Sequence, residues 1–271
     1  MYEIFYEPST RTRFSFWAAA NMLGMQVCSS ESAGQFSSAV KGETLEHTIR
    51  ILAGQNVQVI VLRHHDTGAA QRAAAVVDKY YPNKVSIINA GDGRGQHPTQ
   101  ALLDVYTIWK RFGHFKLKVV VGGDLKNGRT CRSLAYLLSK FDGAQFVFVS
   151  PPELRMEDDI LKHLDESGIS WSIEDDLRQA LAAADVVYWT RVQKERLLHP
   201  DRFEELRDRY HIGLKEMELL QPKAILMHPM PIAGEIGPEV DDHPSAIYFE
   251  QAVNGQFIRA ALLLHIFGVS A

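Results

Sequence analysis

Apolar positions along this chain change rhythm repeatedly, from short unbroken runs to a spacing of three and four. Ile4 and Phe5 form a short run, and Pro8 with Ser9 then gives a helix-start signal ahead of apolar residues at helical spacing across 14–23. Residues 29–42, SSESAGQFSSAVKG, are rich in Ser and Gly and read as a loop. A helical stretch at 44–52 leads to the run VQVIVL at 57–62, an Ala-rich helix over 68–80, a strand at 85–89 and a long helix over 98–112. The second half repeats the alternation, with strands at 117–121, 145–149, 185–189 and 224–227 and a short extended piece at 170–173. Helices are predicted over 129–141, 157–167, 177–183 and, closing the chain, 249–267.

Strands that alternate with helices predict parallel sheets covered on both faces, and short apolar strands fit burial on both sides. The expected fold class is α/β, as two doubly wound parallel-sheet domains of similar type with a cleft between them. A chain of 271 residues suits two such cores better than one. The expected division is 1–112 together with 250–271, and 113–249. With 46% hydrophobic and 23% charged residues the composition is that of a globular protein, and a net charge of -4 gives no basic face for nucleic acid. No apolar run reaches membrane-span length, so no membrane partner is expected. Cys28 and Cys131 cannot make a disulfide framework, and a reducing, cytoplasmic location is the default. The first residues lack the layout of a signal peptide.

In doubly wound folds ligands sit beyond the carboxyl ends of the strands. Ser9-Thr10-Arg11-Thr12 follows the first strand, Arg63-His64-His65 the second, GDGRGQHPTQ the third and GGDLKNGRT the fourth. Thr190 to Arg196 follows a later strand, and HPMP the last. Polar and cationic residues at nearly every strand end describe a pocket for a small polyanion. Hydroxyls and a guanidinium at a helix start suit phosphate, though Ser and Thr are also common caps; Arg13 tilts the balance to binding. His97 and Gln100, on a ledge after a Gly-rich loop, can donate hydrogen bonds to a carbonyl. GGDLKNGRT resembles a phosphate-cradling loop, G-x-x-x-x-G-K-[ST], but position 129 is Arg rather than Lys. Arg129 reads instead as a carboxylate clamp, with an ion pair as the bland alternative. Arg191 and Gln193 alternate, so in an extended segment they face one side. Ser37 and Lys41 lie in the long Ser/Gly loop, a candidate lid or a plain surface loop. The eleven histidines show no ligand spacing for zinc, so no metal and no cofactor is expected.

The segments FYEPSTRTRFSF, VKGET, LRHHDTGAA, GDGRGQHPTQALLDVYTI, GGDLKNGRT, YWTRVQKERL, MHPMP and YFEQAVNGQFIRAALL resemble, in this order, the signatures of the aspartate carbamoyltransferase family. The resemblance runs from residue 5 to about residue 265. It implies transfer of a carbamoyl group from carbamoyl phosphate to L-aspartate, with a carbamoyl-phosphate domain followed by an aspartate domain. By resemblance, Ser9, Thr10, Arg11 and Thr12 hold the phosphate and bridging oxygen. Arg63, His97 and Thr12 contact the carbamoyl carbonyl, and Gln100 lies near the carbamoyl nitrogen. Arg129 takes the α-carboxylate, Arg191 and Gln193 the side-chain carboxylate, and the Met230 and Pro231 carbonyls the amino group. Ser37 and Lys41 match a loop reaching a neighbouring subunit's site, which implies a homotrimer, and Glu7 matches a residue that pairs with Arg129 and Arg196 on closure. A regulatory chain is left open. Ile232 stands where the family pattern HPLPR has Arg, and family members begin with a helix that this sequence lacks. A carbamoyltransferase for another amino acceptor and a non-catalytic homologue are the competing readings.

Overall fold

The computed structural model describes residues 1–31, 33, 42–192, 205 and 208–269. They divide into two compact units, Met1–Thr99 with Val253–Ala271, and Gln100–Ala252. Each is a parallel sheet with helices on both faces, as the alternation of periods predicts.

In the first unit the strands are β1 (Tyr2–Phe5), β2 (Cys28–Ser30), β3 (Val59–His64) and β4 (Ser86–Asp92). Their order is β2-β1-β3-β4, and every pairing is parallel. The helices are α1 (Thr10–Met22), α2 (Leu45–Ala53) and α3 (Ala69–Tyr80). Alternate residues of one strand feed opposite faces. Ile60 and Leu62 pack with Leu45, Ile49 and Val77 of α2 and α3. Val59 and Val61 pack with Phe16 and Ala19 of α1 and with Leu263. Strand β2 overlaps, at Ser29 and Ser30, the segment whose composition reads as loop. Its three residues form the sheet edge and are polar and largely exposed, so no buried alternation marks them.

The second unit orders its strands β7-β6-β5-β8-β9, again all parallel. They are β5 (Lys118–Gly122), β6 (Gln145–Val149), β7 (Trp171–Ile173), β8 (Val186–Trp189) and β9 (Ile225–Met227). On one face Val119, Val121, Phe146 and Tyr188 meet α4 (Pro98–Phe112), α5 (Arg129–Leu138) and α6 (Asp158–Glu166). On the other, Val120, Val187 and Leu226 meet α7 (Leu177–Ala182), Tyr210 and α8 (Leu214–Met217). Val105 and Ile108 of α4 belong to the first of these cores. The division therefore falls at Thr99 and Gln100, near the start of α4 rather than after it. The closing helix α9 (Tyr248–Ile266) divides likewise, with Val253 onward in the first unit. No helix among the described residues is long and apolar enough to cross a membrane.

Candidate active site

Where two adjacent parallel strands send their chains to opposite faces, a crevice opens at their carboxyl ends. In the first unit β1 leads to α1 on one face and β3 to α3 on the other, so the crevice lies between β1 and β3. In the second unit β5 leads to α5 on one face and β8 toward Tyr210 on the other. The sequence sets its cationic motifs at both places.

Ser9 is the N-cap residue of α1, extended at φ -159, and its hydroxyl makes no capping bond. The Ser9 hydroxyl therefore does not take up the first-turn N–H groups of α1. Thr10 and Arg11 are exposed, while Thr12 is buried. Arg13 is different: its guanidinium lies 3.0 Å from Glu31 and 3.4 Å from Ser29 Oγ. The charge expected to strengthen the anion site instead ties α1 to the chain beyond β2, a tertiary contact that local spacing does not reveal.

Arg63 joins three strand ends. It is 3.3 Å from Glu7, after β1, and its Nη1 donates to Ala90 O in β4 at 3.1 Å. Glu7, matched by resemblance to a partner of Arg129 and Arg196, pairs here with Arg63; Arg196 lies outside the described residues. His97 is buried at 5% exposure, directly ahead of α4. Its loop is shaped by Asp92, whose carboxylate accepts from Gly68 N at 2.8 Å, Gln96 N at 2.8 Å and Asn89 Nδ2 at 3.1 Å. Thr99 is held by Arg259, a buried arginine of α9 that also donates to Ser15 on α1 at 2.9 Å. One guanidinium thus braces the helix carrying Ser9 to Thr12 against the segment carrying His97.

His64, His65 and Asp66 place one ligand-type atom each within 4.8 Å of one another. The cluster is internally satisfied: Asp66 N–H donates to His64 Nδ1 at 2.9 Å, and Arg72 takes the Asp66 carboxylate at 3.3 Å. Burial, and then the stacked His65 ring, lowers the pKa of His64 and favours its neutral form.

In the second unit the N–H groups of the loop after β5 are taken up, mostly by the end of β6 and the turn that follows it. Gly123 N donates to Val149 O, Leu125 N and Lys126 N to Leu154 O, and Asn127 N to Asp124 Oδ1. A phosphate-cradling loop needs those N–H groups, so the resemblance to one ends at the sequence. What the loop presents is Arg129, at the start of α5 and partly buried. Arg191 follows β8, the neighbour of β5, and is partly buried too. Ser37, Lys41 and Gln193 lie outside the described residues.

After β9 the backbone of Met230 is left-handed at φ 58, with a cis bond to Pro231. His228 Nδ1 accepts the Met230 N–H at 2.8 Å, and His228 Nε2 lies 2.7 Å from Glu235. Burial works to raise the Glu235 pKa. The hydrogen bond and charge of His228, with backbone N–H groups, outweigh it and hold the carboxyl below its ordinary range. Met230 is half-buried and Pro231 exposed, and Ile232 packs against the apolar core beneath. Sequence reasoning passed over Asp104, fully buried in α4, which accepts from Gln100 Nε2 at 2.9 Å, Gln251 Nε2 at 2.7 Å and Tyr188 Oη at 2.8 Å. A Gln and an Asp four apart on one helix were the available signal.

Two parallel-sheet units whose strand ends carry guanidinium, hydroxyl and imidazole groups define a class of protein suited to binding small anions. Residues 1–110 match the carbamoyl-phosphate-binding domain of aspartate/ornithine carbamoyltransferases, and residues 116–266 match the Asp/Orn-binding domain. The chain belongs to this family. It is 49% identical over 265 residues to the chloroplastic aspartate carbamoyltransferase of Oryza sativa, covering 97% of this chain and 71% of the relative. It is 46% identical to the catalytic subunit of aspartate carbamoyltransferase from Methanothermobacter thermautotrophicus, covering 96% and 80%. The solved catalytic subunit of M. jannaschii aspartate transcarbamoylase superposes with a TM-score of 0.88 at 43% identity, covering 98% of this chain and 84% of that one. Aspartate transcarbamoylase from Trypanosoma cruzi, in complex with N-(phosphonacetyl)-L-aspartic acid, gives 0.90 at 36% identity, covering 100% and 83%.

Proposed function

We propose that this chain transfers the carbamoyl group of carbamoyl phosphate to the amino group of L-aspartate, giving N-carbamoyl-L-aspartate and phosphate, a step of pyrimidine biosynthesis. The observation that carries the reading is the division of chemistry between two switch points. One offers a helix N-terminus with Ser9, Thr10, Arg11 and Thr12, suited to phosphate. The other offers Arg129 and Arg191, guanidinium forks suited to two carboxylates. Structures of one relative, the Trypanosoma cruzi aspartate transcarbamoylase, in complex with carbamoyl phosphate, with aspartate and phosphate, and with carbamoyl aspartate and phosphate support the same pairing of ligands.

The neutral amine attacks the carbamoyl carbon, the C–O bond to phosphate breaks, and phosphate departs with the amine's proton. Charge gathers on the carbamoyl oxygen as the carbon becomes tetrahedral. Arg63, His97 and Thr12 are the donors assigned to that oxygen, each worth about 3–4 kcal/mol in the transition state. Gln100 meets the carbamoyl nitrogen, and the Met230 and Pro231 carbonyls accept from the attacking amine. Gln193 joins Arg191 at the side-chain carboxylate. Ser37 and Lys41 complete a neighbouring subunit's site, so the active unit is a homotrimer. The chain works in the cytoplasm, a reducing compartment that suits two free cysteines.

His97→Ala tests the chemistry. Turnover is expected to fall by roughly 10²–10³ while carbamoyl phosphate affinity changes little. Equal losses in turnover and affinity reject the assignment. Ile232, packed on the apolar core in place of the family arginine, favours a second reading in which another amino acid is the acceptor. Carbamoylation measured across a panel of amino acids separates the two.

A further inference from the structure

Asp104 has no solvent exposure, and it stands at the meeting point of three side chains drawn from three elements. Gln100 and Gln251 donate their amide nitrogens to Oδ1, at 2.9 and 2.7 Å, and Tyr188 donates its hydroxyl to Oδ2 at 2.8 Å. Three converging donors are the surroundings of an ionised carboxylate, which accepts and never donates. Burial, and then the Asp104 charge, drives the Tyr188 hydroxyl far above its ordinary pKa, so it stays a donor.

An amide side chain has two ends of opposite polarity, and their assignment is set by partners. Once Asp104 holds the nitrogen of Gln100, the carbonyl oxygen of Gln100 must point elsewhere. The same holds for Gln251, and there the outcome is visible: its oxygen accepts the His228 N–H at 2.8 Å, at the root of the Met230 turn. We propose that Asp104 is a positioning residue that fixes the polarity of Gln100, so that Gln100 presents an acceptor and selects an acyl phosphate bearing N–H donors. This rests on the carbamoyl-phosphate reading above and deepens it. The carbamoyl group differs from an acetyl group by NH₂ in place of CH₃. An acceptor at Gln100 rewards the first and is left unpaired by the second.

Asp104→Asn keeps shape but supplies both a donor and an acceptor, so it no longer dictates which end of Gln100 faces it. Affinities for carbamoyl phosphate, acetyl phosphate and inorganic phosphate are measured by calorimetry on the native chain, Asp104→Asn, Gln100→Leu and the double variant. The native chain is expected to prefer carbamoyl over acetyl phosphate, and Asp104→Asn to shrink that preference roughly fivefold with phosphate affinity unchanged. In the Gln100→Leu background the Asp104 substitution should change nothing further. A folded Asp104→Asn chain with the native preference overturns the proposal, and so does an additive double variant. A native chain that binds neither acyl phosphate rejects the transferase reading itself. Should Asp104→Asn fail to fold, NMR of the ¹⁵N-labelled glutamine amides in the native chain decides. Gln100 NH₂ protons protected without ligand, and still protected with carbamoyl phosphate, support the assignment; protection that appears only on adding ligand overturns it.

Discussion

At the scale of single residues, burial separates groups of identical chemistry. Cys131 has no exposure, its thiol is pushed up to about 12 by burial, and Thr190 Oγ1 lies 3.7 Å from its sulfur. Cys28 is exposed on the edge strand β2. Thiolate, not thiol, reacts. A thiol-titration reagent should therefore modify one of the two cysteines rapidly in the folded chain and both after denaturation; fast reaction of both when folded contradicts the burial of Cys131. Glu3 offers a second contrast. Burial raises its carboxyl from 4.5 to about 7, against the Ser29 hydrogen bond and the charges of Arg13 and the N-terminus. A carboxyl whose folded pKa is raised binds its proton more tightly when folded. Its penalty is absent below the unfolded value near 4.5 and grows as pH rises to about 7. Glu3→Gln should remove that slope and stabilise the chain above pH 7, by at most about 3 kcal/mol. Denaturation midpoints from pH 4 to 8 test it; parallel curves for the two chains count against it.

At the scale of elements, close approach of strands governs the site. A Cβ on Gly122 would lie 1.9 Å from the Trp189 ring, so any other residue there requires the ring to move. Gly122→Ala should destabilise the chain by about 3 kcal/mol, seen as a lower urea midpoint. An unchanged midpoint would mean that the Trp189 ring is readily displaced. The elements most legible in sequence were those with unbroken buried runs. Val59 to Leu62 and Lys118 to Val121 declare themselves because both sheet faces are covered. Strand β2 did not, since an edge of three polar residues buries nothing that a pattern can show. The site divides in the same way. Ser9 to Thr12, His97, Arg129 and Arg191 were readable as candidates because each comes after a strand, and Arg63 because it lies near the carboxyl end of β3. Asp104 and Arg259 were not, because they sit inside helices where spacing suggests core or solvent. Their partners, Tyr188, Gln251, Ser15 and Thr99, come from distant sequence. The ion pair of Arg13 was not legible for the same reason, its partner Glu31 arriving from beyond another strand.

At the scale of the whole molecule, the proposed homotrimer carries its own test. If Lys41 serves a neighbouring site, a Lys41→Ala chain and an Arg129→Ala chain, each inactive, should regain turnover when dissociated and reassembled together, because some sites then draw intact residues from both. No recovery, with mixed oligomers demonstrated by size and mass, means that each chain is self-sufficient. Another consequence follows from the uniform strand direction. In each unit taken by itself every pairing is parallel, so its groups assigned to substrate lie toward the carboxyl-end margin of its own sheet, and the connections that enter its strands gather at the amino-end margin. The turn at Phe141–Asp142, exposed ahead of β6, is one of these entrances. A fluorophore, affinity peptide or inserted reporter domain at Asp142 should leave kcat and KM at native values, which makes the opposite margin the place to build on this enzyme.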